Sequence, residues 1–198
     1  MGYAGSWLAV KEKYAALVLE GLGLRATDEL ALPGETHFTG MTPSNGWFIL
    51  LINECQHKFV RADVLTSLSI HCEVIACSAE EHVMWCAAEF WQDGSQIWRI
   101  EHDAQKGNSH LSTSGLLPDG YPEIAKEFTE KQKESGGEES DIDYIFEIPL
   151  QVAKSIVGFK HDEAESEDGD CRTFKIDRSL LLADPIAGKR ERPWWKFW

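Results

Sequence analysis

Positive charge is what this chain has least of: 19 lysines and arginines stand against 33 aspartates and glutamates, a formal net charge of −14. A surface of that sign repels nucleic acid and anionic lipid and attracts basic proteins. Long hydrophobic runs are also missing. The longest, Trp47 to Ile52, has strand length and falls far short of the ~18 apolar residues of a membrane span. The opening stretch MGYAGSWLAVKEKY has no basic region leading into a long apolar segment, so no secretory leader is expected. The five cysteines (Cys55, Cys72, Cys77, Cys86 and Cys171) are odd in number and form no C-x-x-C pair. That argues against a disulfide framework or a zinc knuckle, and four of them sit in apolar segments where a thiol acts as a small hydrophobe. Such usage fits a reducing, cytoplasmic setting.

Catalytic signatures are missing as well. No G-x-x-x-x-G-K-[ST] phosphate cradle, no G-x-G-x-x-G after a strand and no G-x-S-x-G nucleophile turn occurs. The stretch Glu165 to Asp170 lacks the glutamate that a calcium loop needs after its glycine. No cofactor or metal is expected from these spacings.

What the chain does have is enough apolar content, 43%, to build a core within 198 residues. Ser6 to Val10 reads as a strand, Lys11 to Leu24 as a helix ended by Gly21 and Gly23, and Trp47 to Asn53 as a strand apolar on both faces. Leu30 to Asn45 reads as loop or weak edge strand. A short helix over Ala62 to Leu68 and a strand over Glu73 to Cys77 follow. Asp93-Gly94 then separates two runs rich in tryptophan, the pattern of a two-residue hairpin. A two-residue turn pairs Trp91 with Gln96, Glu89 with Trp98, Ala87 with Ile100 and Trp85 with His102, and puts Val83, Trp85, Ala87, Trp91, Trp98 and Ile100 on the core face. Pro122 to Lys133 is expected as a polar helix, Tyr144 to Ile148 as a strand, and Leu150 to Val157 as a helix between Pro149 and Gly158. The fold class expected is α+β: a mostly antiparallel sheet with a central Asp-Gly hairpin and helices on one side. It forms a single domain over 1–198, with an acidic helical C-terminal third (about 120–175) and an aromatic tail (189–198).

Two groups of residues can carry function. On the hairpin, His82, Glu101 and Asp103 share a face in that register, beside Glu80, Glu81 and His102. A histidine near carboxylates is a possible general base, so a small hydrolase or metal-dependent enzyme is one alternative. Only one histidine lies on that face, however, and a hydrolytic zinc site wants three converging protein ligands. Arg99 beside Glu101 is equally consistent with a salt-bridged surface, and no catalytic residue is assigned. The acidic runs are the stronger signal. Glu138, Glu139, Asp141, Asp143 and Glu147 form one, and Asp162, Glu163, Glu165, Glu167, Asp168 and Asp170 the other. Clustered negative potential speeds association with a cationic partner and suppresses wrong ones. The tail Lys189 to Trp198 mixes cations with four aromatics. It is short for an amphipathic anchor and joined to an acidic chain, so it is expected to pack on protein, either its own domain or a homo-oligomeric neighbour in a regulatory assembly.

Five stretches belong together: Ser6-Trp7-Leu8-Ala9-Val10, Gly46-Trp47-Phe48-Ile49-Leu50, Glu80-Glu81-His82-Val83-Met84, Ile100-Glu101-His102-Asp103-Ala104-Gln105 and Gly158-Phe159-Lys160-His161-Asp162. Across residues 6 to 162 they resemble a group of small acidic proteobacterial proteins. These in turn look similar to immunity proteins encoded beside antibacterial effectors, including DNase effectors of type VI secretion. The resemblance implies a cytoplasmic, non-enzymatic inhibitor that binds its toxin tightly; the net charge makes the expected toxin a basic protein and argues against nucleic acid or membrane as a partner. It transfers no functional residue to a position here.

Overall fold

A computed structural model describes residues 2–43, 45–163, 171–177 and 179–180. Its elements are strands β1 (Ala4–Lys11), β2 (Leu24–Ala31), β3 (Phe38–Met41), β4 (Trp47–Ile52), β5 (Val74–Glu80), β6 (Trp85–Gln92), β7 (Ser95–Asp103), β8 (Ser112–Gly115) and β9 (Cys171–Ile176). Its helices are α1 (Ala15–Gly21), α2 (Ala62–Ser69), α3 (Tyr121–Glu134) and α4 (Glu147–Val157). The nine strands form one sheet in the order β2-β9-β3-β4-β1-β5-β6-β7-β8, with every neighbouring pair antiparallel. The fold is therefore α+β.

The sheet is built outward from β1, β4 and β5, whose side chains are buried on both faces. Trp7, Ile49, Leu51, Ile75 and Cys77 point to one face and pack with Ile148, Leu150, Val152 and Val157 of α4. Leu8, Val10, Leu50, Ile52, Val74 and Ala76 point to the other and pack with Val18 of α1 and Leu65 and Leu68 of α2. Each of these large side chains contributes about 1.5–3 kcal/mol on burial. The alternation explains a correction. Helices were expected on one side, yet α1 and α2 cover one face and α3 and α4 the other, because strands apolar on both faces need cover on both.

Three further expectations change. The Asp93-Gly94 connection joins β6 and β7, which lie toward the β8 edge, while β1 occupies the centre. Tyr144 to Ile148 is not a strand; α4 starts at Glu147, with Pro149 in its first turn where no donor is needed, and ends at Gly158 with φ 71°. The C-terminal third is not purely helical, since β9 returns to pair with β2 and β3. No helix among the described residues is long and apolar enough to cross a membrane.

Candidate functional site

The hairpin decides where the histidine–carboxylate group lands. Asp93 and Gly94 both have positive φ (51° and 72°), the conformation of a two-residue turn whose twist matches its strands. Gln92 pairs with Ser95 and Trp91 with Gln96, but the next pair is Phe90 with Trp98. Ile97 is thus an extra residue, a bulge that shifts the rest of the ladder by one. The two-residue-turn register holds for two pairs only. Beyond the bulge Cys86 faces His102 and Ala88 faces Ile100, on the α4 side, while Ala87 faces Glu101 and Trp85 faces Asp103 on the opposite side.

The structure sets His82 apart from Glu101 and Asp103, which share Lys106 as a partner. His82 is exposed in the turn before β6 and bonds Glu80 (Nδ1 to Oε1, 2.7 Å). Arg99 donates to Glu101 (2.6 Å) and to the buried Glu89 (3.2 Å), while Lys106 reaches Glu101 (3.4 Å) and Asp103 (3.1 Å). Burial works to raise the Glu101 carboxyl, but Arg99 and Lys106 outweigh it and hold it below the usual range. No hydrogen bond or ion pair among the described residues joins His82 to either carboxylate. Glu89, Arg99 and Glu101 instead line a pocket of about 350 Å³ with Trp85, Ser78 and Gln56.

His102, fully buried, is the polar centre of the other face. It donates from Nδ1 to the His110 carbonyl (2.7 Å), and its Nε2 is hydrogen-bonded to Asp143 Oδ2 (2.8 Å). Asp143 also accepts from the Phe146 amide (3.1 Å), and Cys86 donates its thiol to the Phe146 carbonyl. These contacts tie β7 to the segment entering α4.

The acidic residues accordingly divide. Asp143 is turned inward. Glu138 accepts from the amides of Asn108 (2.9 Å) and Ser109 (3.1 Å), holding the loop after β7. Glu139 and Asp141 are exposed in the connection between α3 and α4. Asp162 and Glu163 are exposed but matched locally. Lys160, itself buried, contacts Glu147 (2.7 Å) and Asp162 (2.9 Å), and Lys154 bonds Glu163. Lys154 holds the Glu163 carboxyl below its ordinary value, and at Asp162 the attraction of Lys160 overcomes an upward push from burial. Glu165, Glu167, Asp168 and Asp170 lie outside the described residues, as does the tail at 189–198.

One group of donors escaped the sequence reading. His37, Glu54 and His57 bring one ligand atom each to within 4.8 Å of one another. The sequence signal for it is thin: a lone Glu54-x-x-His57 spacing just past β4, with the third donor seventeen residues before Glu54.

No family model, curated protein or solved structure matches the chain.

Proposed function

We propose that this chain is a cytoplasmic immunity protein that binds a basic antibacterial toxin and neutralises it without catalysis. A nuclease is the toxin class that fits best. A protein that must hold polyanionic DNA has a basic active face, and an acidic inhibitor can cover it. The observation that carries the reading is the charge of −14. Among the described residues, exposed Glu139 and Asp141 form no ion pair, unlike Asp162 and Glu163, so they keep their field for a partner. The pocket beside Glu89 supports the same reading, since Trp85 and Arg99 are the residue types that anchor protein interfaces.

The test is genetic and then kinetic. The gene beside this one should encode a protein that stops growth when expressed alone, and co-expression of this chain should restore growth. The purified pair should associate at least tenfold faster at about 50 mM than at about 500 mM salt, because screening shortens the reach of the field. Failure of rescue ends the proposal, and a flat salt profile removes its electrostatic basis.

A further inference from the structure

Antiparallel pairing sets Phe38 of β3 against Ile52 of β4, so the residues just outside the two strands meet at one end of the sheet. There the Asn53 amide donates to the His37 carbonyl at 3.0 Å. The chain then turns sharply through Glu54, Cys55 and Gln56, with Gln56 at φ 52°, an unusual value for a residue with a side chain. His57 ends the turn and accepts at Nδ1 from the Phe59 amide (3.2 Å). Its ring is buried, edge-on to Phe59 (4.5 Å between centroids) and to Phe38 (5.5 Å). His37 and Glu54 are about half exposed, and their Nε2 and Oε2 atoms lie 3.8 Å apart.

From this geometry we propose that His37, Glu54 and His57 form a binding site for a late first-row divalent cation, with zinc the best match and solvent filling the remaining position. Two imidazoles and one carboxylate suit zinc, cobalt, nickel or copper, whereas calcium and magnesium take oxygen donors. Ligands at about 2.0–2.2 Å around a tetrahedral ion sit roughly 3.3–3.6 Å from one another. The observed separations, all within 4.8 Å, close to that with a small swing of His37 and Glu54 towards a fixed His57. Three protein ligands and a side open to water is the arrangement of a labile or reactive metal rather than a sealed structural one.

The Phe59 amide reports directly on the third ligand. A cation at Nδ1 takes the lone pair that holds this amide. A cation at Nε2 leaves the ring's one proton on Nδ1, facing the amide. Either way the hydrogen bond is lost. The inference stands apart from the partner-binding proposal, since it uses none of the same residues.

Cobalt(II) and zinc(II) titrations of the full chain at pH 7.5, against a competing chelator, test it. We expect one tight equivalent, a cobalt ligand-field spectrum, and displacement of the Phe59 amide resonance on adding zinc. His37→Ala and Glu54→Ala, both surface changes, should each weaken zinc binding at least tenfold, while His82→Ala leaves it unchanged. Equal affinity in the His37 and Glu54 variants, or a Phe59 resonance that does not move, would falsify the site. The two surface variants keep the test valid even if His57→Ala fails to fold.

Discussion

At the scale of single residues, the buried His102–Asp143 pair shows how a polar group is afforded in a core. Its hydrogen-bonding atoms meet partners: the His110 carbonyl, the Phe146 amide and each other. Buried polar groups are tolerable when satisfied and costly when one partner is lost. His102→Ala leaves the Asp143 side chain, only 9% exposed, without its hydrogen-bond partner on the ring and opens a cavity. We expect a loss of about 3 kcal/mol, or roughly 6–12 °C in melting temperature for a chain of this size. Asp143→Asn should cost much less, about 1 kcal/mol, because an amide can still accept from the Phe146 amide and hydrogen-bond the His102 ring. His82→Ala, at an exposed site, should stay within about 0.5 kcal/mol. Thermal melts of the three variants check this order. If His102→Ala melted like His82→Ala, the pair would hold nothing together.

At the scale of elements, the bulge at Ile97 does more than shift a register. The Ile97 carbonyl accepts from Leu116 (2.9 Å) and presses against Gly115, where an added Cβ would sit 2.0 Å from that oxygen. Gly94, in the turn, has a positive φ too, but a Cβ there meets Ile70 at 3.4 Å and the Thr66 carbonyl at 3.7 Å, both without collision. Gly94→Ala should therefore cost about 1 kcal/mol, the strain of a left-handed residue. Gly115→Ala should cost about 2–4 kcal/mol, strain plus a collision with backbone. Urea midpoints of the two variants separate the cases, and equal losses would mean that β8 does not run this close to the bulge. The same comparison explains what could be read in advance. Strands that bury their own side chains, β1 and β4 above all, were legible from apolar runs. The polar strand β8, exposed throughout, and β2, exposed along most of its length, are held by ladder partners rather than by their own burial, so nothing in their composition marks them. A bulge is one extra residue with no side-chain signature, which is why the hairpin faces were misread after two pairs. The charge of the acidic runs was legible. The inward turn of Asp143 was not, since only its meeting with His102 from a distant strand defines it.

At the scale of the whole molecule, the excess of negative charge and the local ion pairs act in opposite directions, and their balance can be measured on the free protein. Glu101 and Glu163 are held below their ordinary value of 4.5 and Asp162 below its ordinary 3.8. A carboxylate with a depressed folded-state pKa contributes stability that is present above the unfolded value and lost as the pH falls through the folded one. Stability at fixed ionic strength should thus fall below about pH 4.5 as these pairs protonate. Near neutrality the pairs are intact, and each exposed one contributes only about 0–1 kcal/mol. Set against them is the repulsion among charges summing to −14 in a folded 22.3 kDa chain. By Coulomb's law that amounts to a few kcal/mol at low salt, and it is screened as the Debye length shrinks from about 30 Å at 0.01 M to about 3 Å at 1 M. Repulsion is the larger of the two, so at pH 7 added sodium chloride should raise the melting temperature between about 20 and 500 mM. Over the same range it should slow association with a cationic partner. The two responses have opposite signs and one cause. A melting temperature that fell with salt would show the ion pairs to dominate, and would leave the field invoked for partner capture too weak to act.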